Sequence, residues 1–129
     1  MVNELNSLTE LSDALAKAVA KGGESTVLVN GRRRMPASGI VYAPGLVVTA
    51  DHVVEKDEDI SMTLADGTSI SASVAGRDPG NDLALLKFEK ATVRPIEKAN
   101  GDARIGQIVI ALGRPSQDGI EATLDALLK

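Results

Sequence analysis

The sequence predicts an all-β domain, a closed antiparallel barrel or a sandwich, preceded by one short helix. Three observations carry this. Beyond Gly23 the apolar residues stop recurring at helical spacing and gather into about seven short runs rich in Val, Ile and Leu. Turn signals separate the runs at regular intervals, among them Ala43-Pro44-Gly45, Asp66-Gly67 and the stretch KANGDARIG. Aromatics are only 2% of the 129 residues, Tyr42 and Phe88, so an aliphatic core must do the packing. A chain of this length forms one domain and can bury such a core.

The elements follow in order. Residues 7–21, SLTELSDALAKAVAK, read as an amphipathic helix: Ser7 and Glu10 have capping-box spacing, and Leu8, Leu11, Leu15 and Val19 share a stripe. Gly22-Gly23 is expected to end it as C-terminal glycines do. STVLVN is the first strand. SGIVYAPGLVVTA supplies two more around Pro44-Gly45, where proline fixes one turn position and glycine takes positive φ. DISMTLADGTSISASVAG supplies a hairpin around Asp66-Gly67. In its second arm Ile70, Ala72 and Val74 alternate with Ser69, Ser71 and Ser73, one face buried and one wet. DLALLKFE and QIVIALG are the last two candidates. The final LDALLK has helical composition, with Leu124, Leu127 and Leu128 at helical spacing.

Composition excludes several functions. A net charge of −4 argues against a nucleic-acid partner, which needs cations in excess on some face. The one basic cluster, Arg32-Arg33-Arg34, follows Asn30-Gly31 and reads as a solvated loop tip. With no cysteine there is no disulfide framework, thiol nucleophile or thiolate metal site. No run reaches the ~18 apolar residues of a membrane span.

The single histidine, His52, lies in VVTADHVV directly behind an apolar run. A lone histidine there is ordinarily a satisfied core or surface residue. A metal site needs more: Asp51 and Glu55 could lend carboxylates, but there is no second His or Cys. Thirty residues on, Asp82 stands between a Gly-Asn turn and the apolar strand of GRDPGNDLALLKFE. Its carboxylate is expected at a strand mouth, partly buried, and a buried carboxylate wants a partner. It reads either as a turn cap or as the acceptor of an imidazole Nδ1–H that leaves Nε2 free as a base.

Three stretches taken together, SGIVYAPGLVVTADHVV, ADGTSISASVAGRDPGNDLALLKFE and IGQIVIALGRP, resemble successive parts of the trypsin-like serine proteases, in particular the high-temperature-requirement, Deg-type branch. The matching motifs are Ser38-Gly39-Ile40, Thr49 through Val54, Asp66-Gly67, Asp82 through Lys87 and Gly106 through Pro115. Order and spacing are kept over about residues 24–124. The resemblance implies a six-stranded antiparallel β-barrel, one of the family's usual two, over residues 23–115. Residues 1–22 would be the helix and 116–129 an inter-barrel linker or tail. It implies peptide-bond hydrolysis with no cofactor, His52 as general base and Asp82 as its orienter.

The family's nucleophile lies in a Gly-(Asn/Asp)-Ser-Gly-Gly segment of the second barrel. None of this chain's serines (7, 12, 25, 38, 61, 69, 71, 73 and 116) is followed by Gly-Gly. The expectation is therefore an N-terminal barrel carrying base and orienter, inactive alone, whose partners are the second barrel and a polypeptide substrate. The alternative is a non-catalytic binding or assembly module that self-associates. Asp51 departs from the family's commoner Ala or Gly and could compete with Asp82 for His52. Compartment stays open: the N-terminus lacks a signal peptide's basic and apolar regions, whereas the resemblance implies the cell envelope.

Overall fold

The computed structural model describes residues 2–89 and 92–128. Helix α1 spans Val2–Gly23. Six strands follow: β1 Thr26–Asn30, β2 Ala37–Ala43, β3 Leu46–Thr49, β4 Ile60–Thr63, β5 Ser69–Asp78 and β6 Leu83–Lys87. They close into an antiparallel barrel in the order β1-β2-β3-β6-β5-β4. The last two strands, β7 Ile108–Ser116 and β8 Gly119–Ala126, form a separate two-stranded sheet.

The barrel closes because β5 serves two neighbours. Its first half pairs with β4 (Ser69↔Thr63 to Ala72↔Ile60) and its second half with β6 (Ser73↔Lys87 to Asp78↔Leu83). The register shifts between Val74 and Gly76, a bulge that turns the strand from one partner to the other. The loop before β5 is built by Asp66-Gly67: Gly67 takes φ +87°, and Asp66 Oδ1 accepts the Thr68 amide at 2.8 Å. At the β2–β3 turn Gly45 takes φ +75°, and any Cβ there would stand 2.9 Å from the Phe88 carbonyl oxygen.

The core is aliphatic, as the composition requires. Val27, Val29, Val41, Val47, Ile60, Met62 and Leu86 are the largest wholly buried side chains. Of the two aromatics, Phe88 is buried, while Tyr42 is exposed with Lys98 Nζ 3.9 Å above its ring centre.

The helix begins earlier than the capping-box spacing suggests. Ser7 lies inside it, its hydroxyl donating to the Asn3 carbonyl at 2.9 Å. Leu5, Leu8 and Leu11 are exposed, and only the C-terminal end docks. Gly22 and Gly23 do not act as left-handed caps, since neither has positive φ. They are buried and allow close approach: a methyl on Gly22 would stand 2.5 Å from Leu112 Cδ1, and one on Gly23 3.6 Å from Ile120 Cγ1.

The helical composition of LDALLK is likewise overridden. Leu124, Asp125 and Ala126 lie in β8 and pair with Ile110, Val109 and Ile108. A strand partner outweighs propensities worth a few tenths of a kcal/mol per residue. The β7–β8 hairpin is anchored to the barrel by Arg114. Its amide donates to Ser38 Oγ at 2.7 Å, its Nε to the Thr26 carbonyl at 2.8 Å and its Nη2 to the Gly23 carbonyl at 3.0 Å. Those carbonyls satisfy a guanidinium whose residue is only 9% exposed. Among the described residues no helix is long and apolar enough to cross a membrane.

Candidate active site

His52 and Asp82 meet because β3 and β6 are hydrogen-bonded neighbours. Thr49 pairs with Ala84 across that ladder, so the segments leaving the same end of both strands lie side by side. Past β3 the chain makes a single 3-10 turn, Asp51–Val53, which presents His52. Before β6 a second such turn, Pro79–Asn81, ends on Asp82 in the left-handed conformation, φ 54° and ψ 46°. Aspartate is among the few residues that accept this backbone. The Asp51 amide donating to the Asp82 carbonyl at 3.1 Å stitches the two turns together.

The carboxylate grips His52 twice. Asp82 Oδ2 lies 2.7 Å from Nδ1 of the imidazole, and Oδ1 accepts the His52 backbone amide at 2.9 Å. One oxygen thus fixes the turn and the other fixes the ring. The amide bond first, and the imidazole bond second, hold the Asp82 carboxyl below the usual carboxylate range. In the tautomer that donates Nδ1–H to Asp82, Nε2 carries the free lone pair, and Nε2 makes no hydrogen bond among the described residues. Such an arrangement can take a proton from a hydroxyl brought within about 3 Å.

Asp82 stands half-exposed at the strand mouth. The His52 and Asp82 side chains are 65% and 49% exposed, and the cavity lined by Ile70, Ala72, Lys87, Phe88 and Glu89 includes neither. Asp51 Oδ1 pairs with Arg77 Nη1 at 2.7 Å, while the imidazole Nδ1 is bonded to Asp82. Arg77 is the site residue that the sequence reading missed. An acid placed beside a base calls for a cation, and GRDPGND carries one five residues before Asp82.

None of the nine serine hydroxyls bonds His52 among the described residues. Ser38 accepts from Arg114 and Ser25 donates to the Arg94 carbonyl. Arg33 and Arg34 are exposed, and Arg32 Nε donates to the Met35 carbonyl at 2.8 Å, a solvated loop tip as expected. Among the described residues no group of three or more His, Asp or Glu is placed to hold a metal.

A family model described as the trypsin-like peptidase domain matches residues 37–127. A probable periplasmic DegP-like serine endoprotease of Rickettsia conorii is 42% identical over 81 residues, 60% of this chain and 16% of that protein. A DegP-like counterpart from Chlamydia pneumoniae is 37% identical over 89 residues, 67% of this chain and 18% of its own length. The crystal structure of a serine endoprotease from Yersinia pestis superposes with a TM-score of 0.78 at 29% identity, covering 88% of this chain and 44% of that one. The chain thus spans about a sixth of the curated relatives it matches and under half of the solved neighbour. Motifs, six-stranded barrel and relatives agree: this chain belongs to the trypsin-like peptidase family and is a barrel domain of the DegP type.

Proposed function

We propose that the chain supplies the base-bearing half of a serine endopeptidase. His52 is the general base, Asp82 holds it in the Nδ1–H tautomer, and a second barrel brings the serine nucleophile and the oxyanion hole. The observation that carries this reading is the two-point grip of Asp82 on His52, which leaves Nε2 free on an open face. A turn cap alone would need only the amide bond.

In the assembled site a serine hydroxyl of the second barrel donates its proton to Nε2 as its oxygen attacks the peptide carbonyl. Asp82 stabilises the imidazolium that forms, and that imidazolium then protonates the leaving amine. No cofactor takes part. The chain by itself is inactive, since missing even one oxyanion donor costs about 10²–10³ in rate. The test is complementation. Alone, the chain neither labels with an organophosphonate serine probe nor cleaves unfolded casein. Added to a second-barrel chain bearing a Gly-x-Ser-Gly-Gly segment, it restores both, and His52→Ala abolishes the restoration. Stoichiometric labelling of the isolated chain would overturn the reading.

A further inference from the structure

Arg77 lies near the end of β5, 20 to 26 residues along the chain from the groups that its guanidinium binds. Its guanidinium ties together the segment on both sides of His52, from Asp51 to Asp57. Nη1 donates to Asp51 Oδ1 at 2.7 Å and to the Val54 carbonyl at 2.9 Å. Nη2 donates to the Lys56 carbonyl at 3.2 Å and to Asp57 Oδ1 at 3.0 Å, and Nε reaches the same oxygen at 3.3 Å. The Arg77 and Asp51 side chains are 27% and 18% exposed, against 80% for Asp57. The bond to Asp51 is thus the sheltered one. A carboxylate next in sequence to the imidazole is a second candidate acceptor for Nδ1–H, and a shared proton would leave the ring with two orientations. Arginine's planar fork can hold Asp51 and the Val54 and Lys56 carbonyls at once, which a lysine point charge cannot.

β5 and β6 carry both sides of this arrangement. Arg77 pairs with Ala84 and Asp78 with Leu83, so the strand pair that places Asp82 on His52 also places Arg77 on Asp51. The carboxylates of the two turns that meet at His52 are then Asp82, bonded to the imidazole, and Asp51, ion-paired to Arg77 on β5.

We infer that Arg77 is a positioning residue: it sequesters Asp51 from His52, so that Asp82 is the imidazole's sole carboxylate partner. This rests on His52 being the base, but its test does not depend on catalysis. Because His52 is the only histidine, one imidazole titration is read without overlap, and carboxyl carbon signals report which acid senses it. In the unsubstituted chain the Asp82 carboxyl signal shifts as the imidazole loses its proton, and the Asp51 signal does not. In Arg77→Met the response appears at Asp51 and falls by about half at Asp82. Adding Asp51→Asn to that variant restores the full response at Asp82. Adding Asp57→Asn, an equal change in charge, does not.

Equal responses at Asp51 and Asp82 in the unsubstituted chain overturn the inference, whether or not Arg77→Met folds. So does restoration by Asp57→Asn to the same extent as by Asp51→Asn, which would reduce Arg77 to a general charge. A failed complementation would remove the proposed catalytic role and leave these signals unchanged.

Discussion

At the residue scale, Asp82 has a proposed chemical role and a thermodynamic one. Asp82→Asn keeps a residue that tolerates the left-handed backbone and removes the charge that selects the Nδ1–H tautomer. In a complemented enzyme its rate is expected to fall by about 10⁴, read as kcat on a peptide substrate. The acid limb of stability should change too. A carboxyl held low in the fold stabilises it above the unfolded value, 3.8, and that contribution is lost as pH falls through the folded value. The melting temperatures of the parent and Asp82→Asn should therefore differ near neutrality and converge below that value. Melts from roughly pH 6 to pH 2 check this, and a constant gap would contradict it. His52 was legible as a chemical residue only through its neighbours in sequence. The bond to Asp82 joins residues thirty apart, and the exposure of both depends on which surfaces fail to cover them, which no local pattern encodes.

Among the elements, the strands were readable where side chains alternate and glycines mark turns, as in β5 and the loops at Gly45 and Gly67. Local signals misled where tertiary contact decides. Ser7 sits in mid-helix because nothing forces the helix to start there, and β8 forms from helix-favouring residues because β7 offers it a ladder. Gly39 illustrates packing inside an element. A methyl there would stand 2.7 Å from Val47 Cγ1 and 2.9 Å from Val29 Cγ2, both on stiff β-branched side chains. Gly39→Ala should destabilise the barrel by about 1–3 kcal/mol, measured by urea unfolding. The hairpin depends on a different device. Arg114→Met would leave the Thr26 and Gly23 carbonyls without their charged donor, at a cost of about 2–4 kcal/mol. Hydrogen exchange should then accelerate across residues 108–126 before it does across β1–β6, whereas uniform acceleration would mean that the hairpin and barrel unfold as one.

The whole molecule combines a closed barrel with an unfinished surface. Closure removes free strand edges from the barrel, and the core is contiguous from Val27 to Phe88. The chain should thus unfold cooperatively when followed by circular dichroism, and a sloping, non-cooperative melt would contradict an autonomous fold. Outside the barrel the situation differs. Ile108 and Leu124 lie toward one end of the β7–β8 hairpin, 53% and 57% exposed, and Ile105 beside them is 74% exposed. Apolar surface of this kind usually finds a cover. The isolated chain is expected to self-associate at high concentration, and Leu124→Glu to abolish this, as read by equilibrium sedimentation. A strictly monomeric parent would contradict that expectation.

The ladder between β3 and β6 has a consequence for inheritance. Because Thr49 faces Ala84, the separation of His52 and Asp82 is counted out in backbone hydrogen bonds rather than by a loop of adjustable length. Slipping that ladder by two residues would carry Asp82 about 7 Å along the strand and out of reach, while a slip of one would turn the core face of β6 outward. Insertions within β3 or β6 are thus barred, whereas the Arg32–Arg34 loop and the loop at Gly67 are free to lengthen. Lineages of this barrel should differ in those loops and keep the strand lengths. The pair is a transferable part: two adjacent strands with their turns would carry its geometry into any barrel that keeps the register.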